Sequence, residues 1–176
     1  MERKFVDHSH VEMFMEIGSA RPIPISKLVI LLEKLNVDID TSFVFLGSNH
    51  PDNLSSLSTY LKGKHDSSLA SDVMLHLAVS NRSIVLDYVA SEKIAVLSVS
   101  GQWLANDERF LERFASFSKP IGNWLKCGQA VLTREDCSHT RASFEAMVAN
   151  PEVTVIDLRL IDHAEIVAAI REMLRE

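Results

Sequence analysis

Strand-like and helix-like apolar patterns alternate along this chain with no linker between them, and that alternation is its tightest structural constraint. The order reads strand, helix, strand, two helices, hairpin, helix, short strand, helix, strand, helix. Such segments bury their apolar faces most simply as a sheet with helices packed on it. The expected fold is therefore α/β: a single globular domain over 1–176, built on a mixed β-sheet covered by helices, with one antiparallel hairpin near residues 83–99. Right-handed crossovers are expected wherever neighbouring strands are parallel.

The first strand is the clearest. In His8-Ser9-His10-Val11-Glu12-Met13-Phe14-Met15-Glu16-Ile17 apolar and polar residues alternate, and residues two apart on a strand share a face. Val11, Met13, Met15 and Ile17 line one side. His8, His10, Glu12 and Glu16 line the other, with Phe14 intruding. Two prolines at 22 and 24 end this strand. Leu28, Leu31, Leu32 and Leu35 then recur at helical spacing from Ser26 to about Asn36. Thr41–Leu46 is a short apolar run closed by Gly47, which reads as a core strand. Leu54, Leu57 and Leu61 give a narrow helical seam.

The stretch from about Ser68 to Ser80 is apolar over most of a helical circumference and reads as a central helix. Ser83–Val89 and Ile94–Val99, joined by Ala90-Ser91-Glu92-Lys93, read as the hairpin. Asn106 or Asp107 caps a helix carrying Phe110, Leu111 and Phe114, expected to stop before Pro120. A short strand is expected within Gly122–Leu132 and a helix from Thr133 to about Ala149. A last strand, Val153–Leu158, leads to a helix from Asp162, where Glu165 three residues on makes a capping-box-like start.

Composition narrows the class. Hydrophobic content of 47% and charged content of 24% are those of a globular protein. The longest strongly apolar run, Leu28–Leu32, is far short of the roughly 20 residues of a spanning helix, so no membrane segment is expected. Met1-Glu2-Arg3-Lys4 is followed by polar residues and histidines and not by a long apolar core, so a cytoplasmic location is expected. The net charge of −6 and the lack of a basic run disfavour nucleic acid as a partner. Cys127 and Cys137, with nine residues between them, match no zinc-type or redox pair and read as free thiols. Cys137 is expected on the apolar face of a helix with Phe144 and Met147.

Candidate chemistry is sparse. A His-x-His pair on a strand can aim two imidazoles at one zinc or manganese ion, and Glu12 adds a carboxylate, so His8, His10 and Glu12 form the candidate metal set. Three ligands in a row on one strand converge poorly, and a solvated strand face also carries histidines. Some metal-dependent hydrolases carry such a pair at the end of their first barrel strand. Here only Lys4-Phe5-Val6 precedes it, and the chain is shorter than the roughly 250 residues of a full (β/α)₈ barrel, so the likeness assigns no family.

Ligands of open α/β sheets bind beyond the strand ends. There His50, Ser100 and Asp162 offer a base, a hydroxyl and a carboxylate, provided that their loops share one edge. No Gly-x-Ser-x-Gly elbow surrounds Ser100, and no phosphate-cradling or dinucleotide fingerprint occurs.

The leading expectation is thus a non-catalytic cytosolic protein-interaction domain without cofactor, in the manner of an inhibitor or immunity-type protein binding a basic partner. The rival is a small metal-dependent hydrolase using the His-x-His-x-Glu strip. A small-ligand sensor using the strand-end loops is the third reading.

Overall fold

Eight segments are strands in a computed structural model, which describes residues 12–18, 25–46, 54–62, 73–79, 81–125, 129–134 and 140–175. The strands are β1 (Glu12–Gly18), β2 (Phe43–Leu46), β3 (Leu54–Ser56), β4 (Val73–Val79), β5 (Arg82–Val89), β6 (Ile94–Ser100), β7 (Gln129–Thr133) and β8 (Thr154–Asp157). They form one sheet in the order β3-β2-β4-β5-β6-β1-β7-β8. The α/β class, the helical cover and the antiparallel hairpin near 83–99 are as expected. Every pairing among the described residues is antiparallel, so no crossover between parallel neighbours is needed. β1 lies inside the sheet, with Met15 in register with Leu97 on one side and Leu132 on the other.

The helices are α1 (Ile25–Lys34), α2 (Leu57–Leu61), α3 (Gly101–Asn106), α4 (Glu108–Leu125), α5 (Arg141–Ala149) and α6 (His163–Leu174). The main core joins Leu75, Leu77, Leu86 and Leu97 of the sheet to Leu28 and Leu32 of α1, Phe114 and Phe117 of α4, and Ile166 and Ile170 of α6. A smaller core on the opposite face sets Phe144 of α5 on Ile94, Val96 and Val131, with Val153 and Val155 beside them. This explains why β6 is buried on both sides from Ile94 to Leu97 and only half-buried at Ser98 and Ser100. No helix among the described residues is long and apolar enough to cross a membrane.

Local chemistry accounts for the boundaries. Asn36, at φ 57°, takes the left-handed conformation that ends α1, and the Val37 N–H returns to the Leu32 carbonyl at 3.0 Å. Asn81, at φ 65°, turns β4 into β5. The Asp162 carboxylate accepts from the Glu165 N–H at 2.9 Å while the Glu165 carboxylate accepts from the Asp162 N–H, also at 2.9 Å, so the expected capping box is present.

Several readings need correction. The helix expected from Thr133 begins only at Arg141, because Thr133 is the last residue of β7 and Thr140 caps α5. The central helix expected over Ser68–Ser80 is strand β4 where the structure describes it: Val73, Leu75, Leu77 and Val79 are buried and Met74, His76 and Ala78 half-buried, a period of two that the continuous apolar run concealed. Leu54 belongs to strand β3, and the helix behind it is only Leu57–Leu61. α4 does not stop before Pro120 but contains it, held by buried Phe117 and Ile121 on either side. Tertiary burial there outweighs the roughly 3 kcal/mol a proline costs inside a helix. The region of Cys127 and Cys137 lies outside the described residues.

Candidate functional site

Strand direction decides which of the singled-out residues meet. β6 ends at Ser100, in register with Glu12 at the start of β1. β1 runs away from that end, β7 returns to it, and β8 runs away again, placing Asp157 against Gln129. Ser100 and the Asp162 turn after β8 therefore stand at opposite ends of the sheet, so the condition for pooling them is not met. Asp162 is also committed to capping α6. Beside it, His163 Nε2 lies 2.5 Å from Glu112 Oε1 of α4. His8, His10 and His50 lie outside the described residues, and Glu12 is placed only by its register with Ser100.

The register assembles a different group on the face that α5 only partly covers. Phe43 of β2 pairs with His76 of β4, His76 with Val85 of β5, and Val85 with Ser98 of β6. One row over, Met74 pairs with Asp87, and Asp87 with Val96, which lies under α5. Directly paired residues point to the same side of a sheet, so these side chains form one surface. α5 and its small core reach Val96 and stop. Beyond them the Phe43 side is left 47% exposed, while Met74, His76, Val85, Asp87 and Val89 are half-buried.

The described electrostatics of this face centre on His76 and Asp87. Partial burial holds the His76 imidazole below its ordinary pKa, and the nearby Asp87 carboxylate opposes that shift with smaller effect. His76 is accordingly neutral at physiological pH. Among described strand residues on this side the ionisable groups are His76, Asp87 and Asp157, with no lysine or arginine; Glu12 and Glu16 stand in register with Ser100 and Val96. Arg82 projects to the other side, where it pairs with Asp107 at 2.8 Å beside Trp103 and Phe110.

Among the described residues of this face, His76 and Asp87 are the ionisable pair, set among half-buried aliphatic side chains. Sequence reasoning singled out none of Phe43, His76 or Asp87 as functional. The signal was the two-residue period of 73–79, which puts His76 opposite the strand's buried aliphatics. Comparison of the chain with family models, with curated proteins and with solved structures finds no match.

Proposed function

We propose that this chain is a non-catalytic, cytosolic protein-interaction domain whose partner is basic and docks on the sheet face formed by β2, β4 and β5. The observation that carries this reading is the single row Phe43–His76–Val85, exposed at its β2 end and continuous with Asp87. Charge complementarity selects the partner: on its described strands the face carries one carboxylate, Asp87, and no lysine or arginine, in a chain of net charge −6. An exposed aromatic set among half-buried aliphatics is the composition of an interface centre, where a few such side chains carry most of the binding energy. An inhibitor or immunity-type role is one form of the reading; it adds the expectation that the partner is an enzyme and loses activity when bound.

The test is affinity capture with wild-type protein beside Phe43→Asp and Asp87→Lys, each first checked for native circular dichroism. The reading expects a basic protein that is retained by wild type and lost by both variants, with association slowing as salt rises. Capture that both variants retain, or that salt leaves unchanged, overturns it.

A further inference from the structure

On the opposite side of the molecule α1, α4 and the start of α6 enclose a cleft of about 370 Å³. That volume lies within the range of small-molecule sites. Its chemistry runs against that of the chain as a whole. Leu31, Leu35 and Pro120 give it an apolar wall, and Lys34, Lys119 and His163 stand around it in a protein of net charge −6.

The origin of the cleft is legible in α4. Pro120 has no N–H for the carbonyl of Ser116, one turn earlier, and both residues line the opening. The next helical position inward is fixed differently: the Lys119 ammonium donates to the carbonyls of Leu158 at 2.8 Å and Ile161 at 2.5 Å, anchoring the turn that enters α6. Those two acceptors orient the ammonium without neutralising it. Among the described residues neither Lys119 nor Lys34 meets a carboxylate. Glu112 of α4 is engaged by His163 and not by either lysine. A half-buried ammonium held rigidly beside an apolar wall, with a second ammonium at the C-terminus of α1, is a site for an anion that also carries hydrocarbon.

We infer that the cleft between α1, α4 and α6 binds a small amphipathic monoanion, a carboxylate with a short aliphatic or aromatic body, its head between Lys34 and Lys119 and its body along Leu31, Leu35 and Pro120. Lys119 supplies the preorganised charge, and Lys34 adds attraction at the rim. The surface that docks a protein partner lies across the sheet, so this site stands or falls apart from it.

The experiment is a titration of isotope-labelled protein with sodium octanoate, followed by amide shifts, with octylammonium as a control of equal chain length and opposite charge. Saturable shifts are expected at Leu31, Leu35, Ser116 and His163 with octanoate and not with octylammonium. Lys34→Glu, at an exposed position, should weaken octanoate binding by about three- to tenfold. His163→Gln, which leaves both lysines in place, should weaken it less. The inference is overturned by shifts elsewhere, by no saturable shift up to millimolar ligand, by equal response to octylammonium, or by unchanged affinity in Lys34→Glu.

Discussion

The Glu92 carboxylate accepts a hydrogen bond from the backbone N–H of Arg141 at 2.7 Å, and the Arg141 guanidinium donates in return to the carbonyl of Lys93 at 3.2 Å. This exchange ties the turn between β5 and β6 to the first turn of α5, the helix that seats Phe144 on the second face. Lys93 sits at φ 57°, a conformation that costs a non-glycine residue energy and aims its carbonyl at the guanidinium only while the turn holds. A carboxylate at a helix N-terminus satisfies an orphan donor and the helix dipole together.

Glu92→Ala should therefore cost about 1–2 kcal/mol. That corresponds to a drop in Tm of roughly 2–8 °C for a domain of this length. Thermal melts check the global effect, and faster amide exchange confined to α5 checks its place. A melt identical to wild type would remove Glu92 from the helix's support.

Ser42 makes a second clamp, between the α1–β2 connection and β4. Its hydroxyl donates to the Asp38 carbonyl at 2.7 Å and accepts from the Ala78 N–H at 2.9 Å, while the Asp38 N–H donates to the Ala78 carbonyl at 2.9 Å. The side chain is wholly buried, so Ser42→Ala strands the Ala78 N–H without a partner. The expected loss is about 1–3 kcal/mol by urea denaturation. Ser42→Thr, which keeps the hydroxyl, should lose less unless its methyl overpacks the site.

How much of this was legible beforehand differs by kind of interaction. Local signals carried well: the Asp162–Glu165 capping box, the polar Ala90–Lys93 connection of the hairpin, and the stripe of α1 all follow from neighbours in sequence. β4 was misread because an unbroken apolar run satisfies both periods, and only the alternation of Val73, Leu75, Leu77 and Val79 with Met74, His76 and Ala78 separates them. α3 stands where a strand-end loop was expected after Ser100, and it forms because Leu104 is drawn into the main core. Pro120 stays helical for a similar reason. Non-local pairing was not readable at all. Nothing in the sequence places β1 between β6 and β7, or Phe43 beside His76 and Val85. The candidate face is a product of register, which is why strand-end loops drew attention instead.

Two phenylalanines of the second face, Phe144 and Phe43, make a matched pair for testing that account. Phe144 is buried in the small core, and Phe43 is 47% exposed beyond its edge. Phe144→Ala should destabilise by about 3–5 kcal/mol. Phe43→Ala should stay within about 0.5 kcal/mol of wild type, as surface changes do. Equal losses in the two variants would mean that the β2 end of the face is covered, leaving no surface there for a partner.

His76 gives that face a pH dependence with a definite sign. Its ordinary pKa is 6.5 and partial burial lowers it in the folded chain, Asp87 opposing. Between those two values the unfolded chain binds more protons than the folded one, so stability rises with pH across that window. The His76 contribution is at its full value above about pH 6.5, falls as the pH drops through that point, and levels off below the folded-state pKa. Urea denaturation of wild type and His76→Gln at about pH 7.5 and about pH 5.5 isolates it, because the other titrating groups are common to both proteins. Wild type should lose more stability on acidification than His76→Gln does. Docking of a basic partner removes further water from the imidazole, so acid should weaken the complex in the same direction. Equal acid losses in the two proteins would show that His76 titrates alike in the folded and unfolded chains, and the face would then be wetter than its packing against Val85 and Met74 implies.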